Sequence, residues 1–263
     1  MDYQFLQLEI QQQRATVWLN RGELHNAFNS QLIAELHHCF DALNAREDIR
    51  VVILAGHGKS FSAGADLNWM KQAGQASAEE NQADAMKLAQ MLQRIATIKQ
   101  PTIARVHGVA LGGGMGLAAA CDICVASDNA QFATSEVRLG LAPSTISPYV
   151  IRAIGARQAY RYFLTAERIS ATQAEKLGLV HEVTSLEQLD SKIDELIQAI
   201  LLGGPFAQHA SKQLIDLVAG QSIDQQLLQD TAQHIAMLRQ GAEAKKGLNA
   251  FLNKQRPEWT QAT

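Results

Sequence analysis

The sequence predicts an α/β protein, on three observations. Short apolar runs alternate with amphipathic segments over the first two-thirds of the chain, glycine-rich turns punctuate them, and after Pro143 the spacing turns mostly helical. Helices therefore collect at the C-terminal end.

Phe5–Ile10 and Ala15–Leu19 read as two antiparallel strands joined by a turn over Gln11–Arg14. Asn29 or Ser30 caps a helix through Leu43, which puts Leu32, Leu36, Phe40 and Leu43 on one face. Arg50–Ala55 is a continuous apolar strand, broken by Gly56-His57-Gly58. Glu79–Ile98 has helical spacing through Met86, Leu88, Leu92 and Ile95, and Pro101 opens a strand over Thr102–Val106. The glycine-rich turn Leu111–Gly116 leads into a small-residue helix at Leu117–Ala120, followed by strands at Asp122–Ala126 and Gln131–Ala133. A short strand at Leu179–Val183 interrupts the helical part. Amphipathic segments at Leu186–Leu202, Ala207–Ala219, Ile223–Leu238 and Ala242–Leu252 finish it. The expected division is a core over 1–200 and a helical region over 201–263.

At 263 residues with 47% hydrophobic and 19% charged residues, the composition is that of a globular protein. A formal charge of -3 carries no basic field for nucleic acid. The acidic start, Met1-Asp2-Tyr3-Gln4-Phe5, lacks a secretory leader's basic and apolar regions. The most apolar stretch, Gly108–Cys121, is shorter than the roughly 20 residues of a membrane helix. The expectation is a cytoplasmic protein without membrane contact.

Several motifs fail on inspection. Gly58-Lys59-Ser60 lacks a P-loop's first glycine, because Ile53 stands there. Gly112-Gly113-Gly114 does not continue into a dinucleotide fingerprint, whose third glycine falls on Leu117. Cys121 and Cys124, placed on opposite faces of a strand, read as packing thiols rather than metal ligands, and no metal site is expected. Adjacent His37 and His38 cannot share a helix face, and neither Ser60 nor Ser62 sits in a nucleophile elbow.

Two loops carry chemistry. Phe61-Ser62-Ala63-Gly64-Ala65-Asp66-Leu67 follows a buried strand with residues small enough for a ligand to approach the backbone. Gly112-Gly113-Gly114 opens a helix, where free N–H groups favour negative charge. Alone, each is an ordinary turn. Amide donors converging from both would form an oxyanion hole.

In order, Asn20–Asn29, Phe61–Leu67, Val106–Gly114, Ala120–Ile123, Ala130-Gln131-Phe132, Glu136–Leu141 and Ala250–Lys254 resemble the crotonase (enoyl-CoA hydratase/isomerase) superfamily along essentially the whole chain. The resemblance implies a spiral of ββα repeats with a C-terminal helical region that builds homotrimers, usually paired into hexamers. It implies an acyl-CoA substrate, with coenzyme A as part of the substrate and no separate cofactor. Its thioester oxygen would sit on the N–H groups of Ala63 and Gly113, with Gly64, Ala65, Asp66 and Leu67 beside it.

Family hydratases commonly use two glutamates. One matches Glu136; the other falls on Gly116, which removes an acid/base group. Glu136 is thus the catalytic carboxylate, where otherwise a solvated glutamate paired with Arg138 is the default. One glutamate also suits a Δ3,Δ2-enoyl-CoA isomerase, and some relatives bind RNA. The segments Thr134–Val150, Asp66–Met70 and Arg161–Arg168 resemble bacterial methylglutaconyl-CoA hydratases of leucine catabolism. That implies hydration of 3-methylglutaconyl-CoA to 3-hydroxy-3-methylglutaryl-CoA. Arg138, Ser144 and Tyr149 are candidate partners for the distal carboxylate, and Trp69 and Met70 candidate walls. Phe251 and Lys254 match positions that approach the nucleotide from a neighbouring subunit.

Overall fold

The computed structural model describes residues 3–260. Strands β1 (Leu6–Gln11) and β2 (Arg14–Leu19) form an antiparallel hairpin, with Ala15, Val17 and Leu19 turned inward at alternate positions. Helix α1 (Ser30–Asn44) starts where Asn29 Oδ1 accepts the Leu32 N–H, and buries Leu32, Leu36, Phe40 and Leu43. Strand β3 (Val51–Gly56) is buried along its whole length, as expected of a central parallel strand covered on both faces. Helix α2 (Leu67–Ala73) is one element that the residue pattern did not announce; Asp66 caps it. Helix α3 (Ala78–Thr97) begins with a capping box between Ser77 and Glu80 and packs on α1.

Strands β4 (Thr102–Val106) and β5 (Val109–Leu111) lead into α4 (Gly113–Ala120). The glycine run is therefore the first turn of that helix rather than a loop before it. Strands β6 (Ile123–Ser127) and β7 (Gln131–Ala133) follow. Cys121 ends α4 outside the strand, so it and Cys124 are not the paired strand faces expected; both are buried free thiols. Burial pushes the Cys124 thiol up to about 12, which leaves it inert. Helix α5 (Ser147–Thr165), strand β8 (Ile169–Ser170), α6 (Ala171–Leu177) and β9 (Glu182–Thr184) complete the core with α7 (Leu189–Leu201). After Gly203-Gly204 come α8 (Pro205–Val218), α9 (Gln225–Gln240) and α10 (Ala242–Leu252).

One sheet has the order β1-β2-β3-β4-β6-β9, and a second has β5-β7-β8. Single parallel bridges, Phe28 to Ala65 and Ser62 to Ala110, extend the second sheet. Each turn of the chain thus lays one strand in the first sheet and a shorter stretch in the second, which is a spiral of ββα repeats. Val52 and Leu54 face the main core, while Val51 and Ile53 face Leu189, Ile193 and Ile197 of α7. Among the described residues, no helix is long and apolar enough to cross a membrane.

Lys212 helps to fasten helix α8 to this core. Lys212 Nζ donates to Ile98 O (2.7 Å), Gln100 O (3.1 Å) and Asp122 Oδ2 (2.7 Å). Lys212→Met strands these acceptors in a partly buried site. It should lower stability by about 1–3 kcal/mol, read as a lower urea midpoint with an unchanged m-value.

Candidate active site

The loops after β3 and β4 interlock through their backbones. Ser62 N–H donates to Val109 O (3.0 Å) and Leu111 N–H to Ser62 O (2.9 Å). Gly64 has φ +90°, and a Cβ there would lie 2.9 Å from Leu111 O; one on Gly114 would lie 2.4 Å from Ser62 O. These glycines are required by close approach. The segment 20–28 clamps the first loop from outside. Asn26 Nδ2 donates to Ser60 O and His57 O, Ser62 Oγ donates to Asn26 O, and Phe28 pairs with Gly64 and Asp66.

This clamp corrects one assignment. The Ala63 N–H donates to His25 O at 2.9 Å, so it is not available to a ligand. Among the described residues the Ala65 N–H has no partner, and Ala65 is exposed where Ala63 is only half so. Phe28 bonds Gly64 O and the Asp66 N–H, on either side of Ala65, and leaves Ala65's own amide turned outward. Gly113 opens α4, whose first intrahelical bond runs from the Gly116 N–H to Gly112 O. Its amide is one of the helix's orphan donors. Ala65 and Gly113 thus each offer an uncommitted amide, one on each loop.

Both residues line a cavity of about 690 Å³ that also takes in Glu136. Glu136 starts a 3₁₀ turn, Glu136–Leu139, and is half-buried. Its Oε2 is buried with no hydrogen-bond partner, and its Oε1 lies 3.0 Å from where a Cβ on Gly112 would stand. Burial pushes its carboxyl above the ordinary glutamate value, and the backbone N–H groups of its own turn offset this only in part. Leu67, Trp69, Met70, Leu88, Leu139, Leu141 and Ile146 make the remaining walls largely apolar. Ser135, Ser144, Thr145 and Asn81 supply the polar patches.

Other expected site residues lie elsewhere. Asp66 is outside the lining: its Oδ1 caps α2 through the Asn68 and Trp69 N–H groups, and its Oδ2 pairs with buried Arg21 at 2.9 Å. Burial would raise this carboxyl, but Arg21 and the two amides outweigh it and hold it low. Arg138 donates to Ala166 O at the end of α5 (2.9 Å), which takes it out of the cavity. Tyr149 packs against the core with Arg152 over its ring. Phe251 and Lys254 are exposed at the end of α10, outside the lining.

Gly116 is also covered. A Cβ there would fall 2.2 Å from Ile146 Cγ2, and Ile146 is 2% exposed. Where family hydratases place a second carboxylate, this chain packs an isoleucine. The residue pattern signalled the glycine but not what fills its place, because Ile146 arrives from a loop 30 positions on.

Uncommitted amides and a half-buried carboxylate thus line one largely apolar cavity on a ββα spiral. The sequence pattern of the enoyl-CoA hydratase/isomerase family matches residues 9–262, and the chain belongs to that family, the crotonase superfamily. An enoyl-CoA hydratase from Shewanella pealeana superposes with a TM-score of 0.95 at 39% identity, over 97% of this chain and 96% of its own. A Legionella pneumophila protein assigned to the enoyl-CoA hydratase/isomerases (crotonase) superposes at 0.91 with 44% identity, over 97% and 98%. The crotonyl-CoA hydratase of Syntrophomonas wolfei is 31% identical, over 97% of this chain and 98% of its own length.

The packing at Gly116 predicts an outcome. Gly116→Ala should cost about 1–3 kcal/mol through overpacking, despite alanine's better helix propensity. Ile146→Ala in the same chain should recover part of that loss, measured by a double-mutant cycle of urea midpoints.

Proposed function

We propose that this protein hydrates the double bond of a 2-enoyl-CoA with Glu136 as its one acid/base group, and that its substrate is 3-methylglutaconyl-CoA. The observation carrying this reading is the partnerless Glu136 Oε2, buried in the cavity that holds the uncommitted Ala65 and Gly113 amides. The thioester oxygen accepts from these two N–H groups. Glu136 takes a proton from water as the water oxygen bonds C3. The double-bond electrons move onto the thioester oxygen, giving an enolate between the two donors. Glu136 then returns the proton to C2, and the product is 3-hydroxy-3-methylglutaryl-CoA.

The choice of acyl group rests on the methylglutaconyl-CoA hydratase-like segments. In this chain the Ser144 and Thr145 hydroxyls are the lining groups suited to a distal carboxylate. Coenzyme A enters as part of the substrate, and no separate cofactor is required by this chemistry. In a trimer or hexamer, exposed Phe251 and Lys254 would be free to meet the nucleotide of a neighbour's substrate. The reading places the protein in cytoplasmic leucine breakdown. One observation favours a second reading, Δ3,Δ2-enoyl-CoA isomerisation: Ile146 stands in the second carboxylate's place, and among the lining residues Glu136 is the one carboxylate.

Product mass separates the two. Incubated with 3-methylglutaconyl-CoA, crotonyl-CoA and a 3-enoyl-CoA, the enzyme should add water to the first. A mass-neutral shift confined to the 3-enoyl ester would replace hydration with isomerisation.

Glu136→Gln should lose about 10²-fold or more in turnover while still binding the ester. The parent's rate should fall on acidification with an apparent pKa above the ordinary glutamate value of about 4.3. The same group makes a stability prediction. A carboxyl raised in the folded state favours folding while protonated, and that contribution is lost as pH rises through the folded value. Glu136→Gln should therefore melt higher than the parent at neutral pH, with the gap closing below about pH 4. Calorimetric melting across pH checks this.

A further inference from the structure

The Ala65 donor stands at the end of two peptide groups laid in a row. Gly64 C=O and Ala65 N–H belong to one trans peptide, so they point in opposite directions. The Phe28 N–H donates to Gly64 O at 2.6 Å. Whatever fixes that bond therefore also aims the Ala65 N–H. The same relation holds one step back. Phe28 N–H shares its peptide with Ala27 O, and Ala27 O accepts from Arg21 Nη1. The order is the Arg21 guanidinium, the Ala27–Phe28 peptide, then the Gly64–Ala65 peptide.

This row is shut off from water until its last group. Arg21 is 6% exposed, Ala27 9% and Phe28 1%, and Gly64 is buried, whereas Ala65 is exposed. Hydrogen bonds in such a row polarise one another, and a guanidinium at its head is a strong donor.

Arg21 is itself held firmly. Its N–H donates to Asn26 Oδ1 at 2.9 Å, and its carbonyl accepts from the Leu24 and Asn26 N–H groups. Its guanidinium lies 4.6 Å from the centre of the Phe5 ring. Nη2 pairs with Asp66 Oδ2 at 2.9 Å, and the Asp66 N–H donates to Phe28 O at 2.7 Å. One guanidinium thus grips the chain on both sides of the donor, through Ala27 O and through the residue that follows Ala65. A lysine offers a single nitrogen in place of this fork.

Phe28 also touches the second donor residue. A Cβ on Gly113 would stand 2.6 Å from Phe28 Cε2, so the ring lies directly against Gly113. The main chain of Phe28 aims one amide while its ring abuts the other.

We propose that Arg21 is a positioning residue of the oxyanion site, which aims the Ala65 N–H through the Ala27–Phe28 peptide without touching substrate. This rests on the reading of Ala65 and Gly113 as the thioester donors, which hydration and isomerisation share.

Acetoacetyl-CoA tests it, because its enolate absorbs in the near ultraviolet and carries its charge on oxygen. Bound to the parent, that enolate should form at lower pH than in free solution. Arg21→Lys should bind the ester within about threefold of the parent, yet raise the enolate midpoint by about one pH unit, a tenfold loss of preference for the oxyanion. Asp66→Asn keeps the oxygen that caps α2 and drops the ion pair. It should move the midpoint the same way, and it decides the matter where Arg21→Lys does not fold. A lower urea midpoint with an unmoved enolate midpoint would overturn the proposal, as would loss of ester binding in these variants. A parent that does not favour the enolate would overturn the donor reading, and this proposal with it.

Discussion

The active site depends on backbone packed directly against backbone. The strand-end loops around Ser62 and Leu111 lie so close that a methyl group on Gly64 or Gly114 would overlap a carbonyl oxygen of the other loop. Gly108, with φ +60°, is under the same constraint, since a Cβ there would stand 2.1 Å from Lys59 O. This contact sets the Ala65 and Gly113 amides on one cavity although 48 positions separate them. It also fixes both amides in advance, the condition under which paired donors outperform water. Arg21 and Asn26 complete the arrangement from outside. The Arg21–Asp66 ion pair, with side chains 7% and 11% exposed, ties the N-terminal segment to the end of the loop that carries Ala65. Asp66 thus shapes the site from outside the cavity lining.

Much of this was legible in the residues. Strands β4 and β7 fall on the expected positions, Asn29 caps α1, and the C-terminal segments are helical. These are local signals: a proline before a strand, a cap before an apolar stripe, a period of 3.6. What was not legible is relational. Strands β5 and β8, at three and two residues, are too short to show a period and exist because β7 pairs with both. The donor assignment slipped from Ala65 to Ala63 because it turns on the His25 carbonyl, aimed by a left-handed backbone at His25 and Asn26, 38 positions earlier. Arg138 looked like a substrate cation because it lies two positions from the candidate carboxylate Glu136. The 3₁₀ turn sends it the other way, to a helix end.

The pairing of Gly116 with Ile146 shows the same division. Glycine at 116 announces that a carboxylate is absent, but not whether space remains for water. The answer is steric. Ile146 Cγ2 lies 2.2 Å from where a side chain would begin, far inside van der Waals contact, so the site is closed by hydrocarbon. That substitution also acts electrically. A second carboxylate would repel Glu136 and raise it through charge, whereas here burial raises it.

A single carboxylate that must both take and return a proton works best when neither form is strongly favoured at the working pH. An ordinary exposed glutamate is a poor acid at neutrality because it is almost wholly ionised. Glu136, with one oxygen buried and unpartnered, is shifted upward, the direction that the proposed hydration requires of a group that returns a proton. The same shift makes its carboxylate a stronger base toward water. The cost is a half-buried charge at neutral pH, which the fold carries on the strength of the core around it.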